Sequence, residues 1–144
     1  MKIMKLDLNL DLSKIDEKFL ITDPTPEQLQ FYNNAMMEWQ KEQKGEKPAK
    51  PINKITPDKL VSNILEISLH STRPQGNKEV LKRTQTIIDC LENAIEGIST
   101  IGIDDFKYLR SAFDKADKWN NNKDTADLIL AVDELLNKAQ EVDI

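Results

Sequence analysis

Leu6, Leu8, Leu10 and Leu12 alternate with Asp7, Asn9, Asp11 and Ser13 near the start of the chain. A strict period of two sets the leucines on one face and the polar side chains on the other. That is the pattern of a half-buried β-strand, and it predicts one over Lys5–Ser13. From residue 25 onward the apolar spacing changes to that of helices. Thr25-Pro26 with Gln28 forms a capping box with proline at the first helical position. Leu29, Tyr32, Met36 and Trp39 then recur at helical intervals, which predicts a helix over 26–43. Thr56-Pro57 repeats this start signal and opens a second helix, 57–70, with Leu60, Val61, Ile64, Leu65 and Ile67 apolar. Asn77 caps a third helix, 78–96, whose stripe runs through Val80, Leu81, Thr84, Ile87, Ile88, Leu91, Ala94 and Ile95. This is the widest stripe in the chain. It marks the third helix as the central one, with Gly97 as its stop. Asp104 caps a fourth helix, 105–117, with Phe106, Leu109, Phe113 and Ala116 inward. A fifth helix, 124–140, carries Leu128, Ile129, Val132, Leu135, Leu136 and Ala139. The expected fold is a single, mainly α domain of about five helices with a small N-terminal β element.

Three segments are expected within that domain. Residues 1–23 form the strand and its connector, and 56–144 the helical body. Residues 44–54 form a flexible linker, because Gly45, Pro48 and Pro51 interrupt any helix among four lysines. Trypsin should reach that linker first.

The strand raises a question of supply. A strand over residues 4–13 would span ~33 Å. The internal candidates to pair with it, Pro51–Ile55 and Ile98–Ile103, are much shorter. An unpaired strand edge is a template for another chain. Leu6, Leu8, Leu10 and Leu12 are therefore candidate partner-binding residues, acting by β-augmentation toward a partner protein or a second copy. With equal weight, the same strand packs on the domain's own helices.

Composition narrows the chemistry. The chain has 144 residues, is 39% hydrophobic and 31% charged, and carries a net charge of −5. That is the balance of a folded globular domain. Its acidity disfavours broad nucleic-acid binding. No apolar run is long enough to cross a bilayer, and no leader segment is evident, so no membrane association and a cytoplasmic setting are expected. The single cysteine, Cys90, allows no internal disulfide and suits a reducing compartment. One His and one Cys cannot build a zinc site of the usual nitrogen and sulfur type. Cys90 falls mid-helix between apolar neighbours, which suits a structural thiol. His70 falls at a helix end, where it faces the terminal carbonyls or solvent. "DKADKWNNNKD" superficially resembles a calcium loop, but it lacks the glycine at position six and the closing bidentate Glu. Four scattered glycines make no phosphate loop. No cofactor, no metal and no enzymatic activity are expected.

One local basic group stands out in "HSTRPQGNKEVLKRT": Arg73, Lys78, Lys82 and Arg83. It is a candidate contact for a phosphate or an acidic partner. As an alternative function, it would serve a nucleic-acid-associated regulator. Ordinary i,i+4 surface pairing explains part of it, since Glu79 precedes Arg83 by four.

In the second half of the chain, "RPQGNKEVLKRTQTIIDCLENA" is followed by "IGIDDFKYLRSAFDKADKW" and a closing helix. This half resembles small accessory proteins encoded in bacteriophage and prophage genomes. The resemblance rests on Lys82, Arg83, Ile87, Leu91, Asp104, Asp105, Phe106, Leu109 and Trp119, with the opening "MKLDLNLDLSKID" of the same kind. It implies a role in assembly or host interaction, in the host cytoplasm, and transfers no activity and no site residue.

Overall fold

The structure, a computed structural model, describes residues 2–72 and 76–143, with Thr72 described in its backbone only. Its contacts divide the chain into two compact units. The body comprises residues up to Asp16 and from Thr56 onward; the small unit is Glu17–Ile55. In chain order the elements are β1 (Lys2–Asp7), β2 (Ile21–Thr22), α1 (Pro26–Glu42), β3 (Asn53–Lys54), α2 (Pro57–Thr72), α3 (Lys78–Glu92), β4 (Ile98–Gly102), α4 (Ile103–Lys115), α5 (Lys123–Asn137) and β5 (Gln140–Asp143). Short 3-10 turns occupy Leu12–Lys14 and Glu17–Leu20. The fold is mainly α, with five helices and small antiparallel sheets, as the sequence pattern predicts.

β1 is the middle strand of the body's sheet, in the order β4-β1-β5. It pairs antiparallel with β4, Met4 opposite Ile101 and Leu6 opposite Ser99. Its other edge pairs antiparallel with β5, Ile3 opposite Val142 and Lys5 opposite Gln140. Both edges of the strand thus pair within the chain, the one toward β5 as far as Lys5. This corrects the expectation that Leu6, Leu8, Leu10 and Leu12 form a partner-binding face. Leu6, Leu8 and Leu10 are core residues, 0%, 1% and 7% exposed. Moving each from water into the core contributes about 1.5–3 kcal/mol. The alternation breaks at Asp11, whose Oδ1 accepts hydrogen bonds from the Ser13 backbone N–H at 3.0 Å and the Ser13 hydroxyl at 2.8 Å. The backbone turns there, and Leu12 is left 52% exposed.

A tight reversal ties this segment to the end of α3. Ile95 and Ile98 exchange backbone hydrogen bonds at 3.0 and 2.9 Å. Glu96 and Gly97 between them both have left-handed φ, 52° and 78°. Positive φ at both central positions is what a type I′ turn requires. Leu8 donates its N–H to the Gly97 carbonyl at 2.7 Å, and Asn9 donates Nδ2–H to the Glu96 carbonyl at 3.0 Å. Gly97 therefore shapes the turn into β4 rather than ending α3, which stops at Glu92.

The helices cover the sheet. α3 and α4 contact β4, α4 and α5 contact β1, and α2 packs on α3 and α4. α2 is the central helix: Leu60, Val61, Ile64, Leu65 and Leu69 are buried, with Ser62 and Ser68. On α3 only Thr84, Ile87 and Leu91 are buried, and Leu81 is 62% exposed. The width of the α3 stripe overstated its burial, because both of its ends lie in solvent. Two polar side chains inside the core bond to carbonyls. The Ser68 hydroxyl donates to Ile64 at 3.0 Å and the Ser99 hydroxyl to Cys90 at 2.7 Å. Arg110 joins α4 to α5 through the Asp133 carboxylate and its carbonyl. The cap position of α4 is Gly102, two residues before the expected Asp104, with no side-chain cap.

The small unit is one helix and a returning strand. Thr25 and Gln28 form the capping box in full, at 3.2 and 2.8 Å. The Gln28 side chain also exchanges two hydrogen bonds with the Asn53 amide, at 3.0 and 2.8 Å. α1 ends at Gln43, which is left-handed, and Gly45 follows at φ 80°. The chain then runs back to β3, which pairs with β2. The Trp39 indole donates to the Gly45 carbonyl at 3.3 Å, and the Lys47 ammonium lies 6.0 Å from the Trp39 ring centre. Between Glu46 and Ile52 only Pro48 and Pro51 are partly covered. A burial period of three is that of a polyproline II ladder. The segment expected as a linker, 44–54, thus lies inside the small unit. Its last residues are sheet-paired, and the units divide instead before Glu17 and after Ile55.

Candidate functional site

The basic group does not come together as a free cluster. Arg83 Nε lies 3.2 Å from the Asp105 carboxylate, and its guanidinium stacks 5.6 Å from the Tyr108 ring centre. That side chain clamps α3 to α4. Lys78 and Lys82 are exposed on α3, and Arg73 lies outside the described residues.

The sheet leaves one polar groove of about 440 Å³, lined by Lys5, Asp7, Asn9, Ile98, Leu135, Lys138 and Gln140. Its one carboxylate, on Asp7, is committed: Oδ1 accepts from the Asn9 backbone N–H and from Asn9 Nδ2, each at 2.9 Å. Lys5 is exposed, as is Lys138. The groove holds two ammonium groups and no nucleophile or base beside them. Among the described residues no group of three His, Cys, Asp or Glu converges to hold a metal ion.

Cys90, Glu66 and Asp11 depart from their ordinary behaviour. Burial pushes the Cys90 thiol up, aided by Asp105 and Asp89, which disfavours the reactive thiolate. Burial also raises the Glu66 carboxyl, with Glu92 beside it adding charge repulsion and a hydrogen bond. Asp11 is lowered by the hydrogen bonds from Ser13. None of the three lines the groove beside the sheet. His70 is exposed in the last turn of α2.

The small unit offers a different kind of surface. A groove of about 410 Å³ lies between α1 and the proline segment, lined by Glu27, Gln28, Phe31, Tyr32, Ala35, Pro48, Ala49 and Pro51. It is mainly apolar. Phe31 at its rim is 79% exposed, and Ile52 beyond Pro51 is 58% exposed. No residue from Glu17 to Ile55 is buried. The sequence pattern placed Tyr32 and Trp39 on one apolar stripe with Leu29 and Met36 and gave Phe31 no role. The available signal was the phase of Phe31, which falls off the Leu29–Tyr32–Met36–Trp39 stripe.

Comparison with protein-family models, with curated proteins and with solved structures finds no match. Among the described residues no helix is long and apolar enough to cross a membrane.

Proposed function

We propose that this chain is a non-enzymatic protein-interaction component and that its small unit, Glu17–Ile55, is the element that meets another protein. The observation that carries this reading is the absence of any buried residue in that unit, which nonetheless displays Phe31, Met37 and Ile52. A segment this short, without a disulfide or metal, ordinarily gains stability by association. Aromatic and methionine side chains are also the ones enriched at protein interfaces. An accessory role in assembly or host interaction, of the phage type and in the host cytoplasm, fits this reading and the single free thiol. This reading leaves out the N-terminal strand, which pairs with β4 along Ile3–Asp7 and with β5 along Lys2–Lys5.

The test is photo-crosslinking in the cell of origin, from a reactive side chain placed at Phe31, at Ile52 or at Leu81 of the body. The reading expects the same protein, a partner or another copy, to be reached from Phe31 and Ile52 and not from Leu81. Products shared with Leu81, or none from the two small-unit sites, would refute it.

A further inference from the structure

β5 fills only part of the edge that β1 offers it. Its first residue, Gln140, stands opposite Lys5. Were the strand to continue in that register, Lys138 would stand opposite Asp7. Instead Lys138 is the C-cap of α5, with helical backbone, and its N–H bonds back to the Glu134 and Leu135 carbonyls at 3.1 and 3.2 Å. The chain therefore leaves the sheet early, and the groove of about 440 Å³ lies there, with Lys5, Asp7, Lys138 and Gln140 in its lining. Successive residues of an antiparallel strand turn their N–H and C=O to alternate edges. Leu8 sends its N–H to the Gly97 carbonyl, on the β4 side. Asp7 then turns its N–H and C=O toward the other edge, where no strand residue meets them.

That edge calls for a group that accepts one hydrogen bond and donates another. The Lys5 and Lys138 ammonium groups line the same groove, and neither forms an ion pair among the described residues. Lys138 is the last of the influences on the Asp11 carboxyl. Ile98 and Leu135, both partly covered, supply an apolar part of the lining. We infer that the groove binds a monocarboxylate that carries an amide N–H and an apolar side chain: the last residue of a peptide, or a free N-acyl amino acid. Its carboxylate accepts from the Asp7 N–H and meets the two ammonium groups, while its amide N–H donates to the Asp7 carbonyl. The ligand thus continues the line of β5, as strand addition does. A single negative charge suits two ammonium groups set against the Asp7 carboxylate, which would repel a second. The site belongs to the body and does not depend on the reading of the small unit.

The experiment is a titration of the full chain with N-acetyl-leucine, followed by proton–nitrogen correlation NMR. The Asp7 amide proton should move downfield as it gains a hydrogen bond, and the shift should saturate with a Kd of about 1 mM or tighter. N-acetyl-leucinamide keeps the N–H and lacks the charge; acetate keeps the charge and lacks the N–H. Each should bind at least about tenfold more weakly. Lys5→Gln and Lys138→Gln should each weaken N-acetyl-leucine several-fold. Asp7→Asn keeps the oxygen that accepts from Asn9 and removes the opposing charge, so it should tighten binding several-fold, which a damaged fold would not do. Acetyl-Ala-Ala-Leu separates the two sources: binding about tenfold tighter than N-acetyl-leucine marks a peptide terminus, and equal binding a free acid. No saturable shift at Asp7 from either compound up to about 20 mM overturns the site. So does acetate or the amide binding as tightly as N-acetyl-leucine, or an Asp7→Asn chain that binds no tighter than wild type.

Discussion

The body and the small unit were built by different means from the same chain. In the body every helix and the sheet contribute to one core, from Leu6 and Leu8 through Val61, Leu65 and Ile87 to Leu109 and Val132. In the small unit nothing is buried, and order rests on polar links. The capping box closes the start of α1, the Gln28–Asn53 amide pair fixes it to the returning strand, and the Trp39 indole fixes its far end to the Gly45 carbonyl. A net hydrogen bond is worth about 0.5–1.5 kcal/mol, whereas one buried leucine is worth about 1.5–3 kcal/mol. The body therefore stands as a cooperative unit, and the small unit is the part whose stability another molecule can most readily change. A surface left unburied within the chain is also the surface free for a partner.

The sharpest way to break this contrast is deletion. Removing residues 1–13 takes away the central strand and three buried leucines, and the body should lose its cooperative thermal transition. Replacing residues 17–55 by a flexible Gly-Ser linker should leave that transition in place. A folded body without residues 1–13 would return the strand to the role of an interaction element.

Single core truncations sharpen the same comparison. Leu65→Ala, at a site with no exposure, should cost about 2–5 kcal/mol by denaturant unfolding. Met36→Ala on the partly covered side of α1 should change the main transition by less than about 0.5 kcal/mol. Equal losses would show that the two units unfold as one.

Gly97→Ala should come next, at about 1–3 kcal/mol. Its φ of 78° disfavours any side chain, and an added Cβ would stand 2.5 Å from the Asn9 amide. That amide cannot swing away without losing its bonds to Asp7 and the Glu96 carbonyl. A neutral outcome would mean that the Ile95–Ile98 turn is not a fixed part of the body.

The smallest expected effect concerns pH. Glu66 is raised in the folded body, by burial and then by Glu92, so the folded state holds its proton more tightly than the unfolded chain does. Stability from this group is present below the unfolded value near 4.5 and is lost as pH rises through the raised folded value. Lys59 and His70 pull the other way and limit the effect. Glu66→Gln should therefore raise the midpoint of thermal unfolding slightly at pH 7 and leave it unchanged near pH 4. A gain of the same size at both pH values would rule out the linkage.

Much of the local structure was legible along the chain. Thr25 with Gln28, and Asn77, cap helices through side chains that bond backbone N–H groups three residues on. Such contacts are local, so residue type and spacing suffice to predict them. The alternation of Leu6, Leu8 and Leu10 likewise marked one apolar face, but not that the chain's own core would cover it. The candidate site was less legible. Arg83 read as a surface cation, paired in part with Glu79 on its own helix, because its actual partner, Asp105, lies on another helix. Phe31 read as incidental because its exposure depends on what the rest of the unit leaves uncovered.

By itself the sequence determined the helical class and the capped starts of α1 and α3, since these follow from propensity, capping and periodicity over a few residues. Only the tertiary structure decided what β1 pairs with. Gln140–Asp143 contains a single apolar residue, Val142, and reads as the frayed end of α5. It becomes a strand because β1 offers it a row of backbone donors and acceptors from more than a hundred residues away. The same is true of burial in the small unit. A capped, striped helix looks the same in sequence whether or not a core exists to receive its stripe, and here the residues that would have made that core belong to the body.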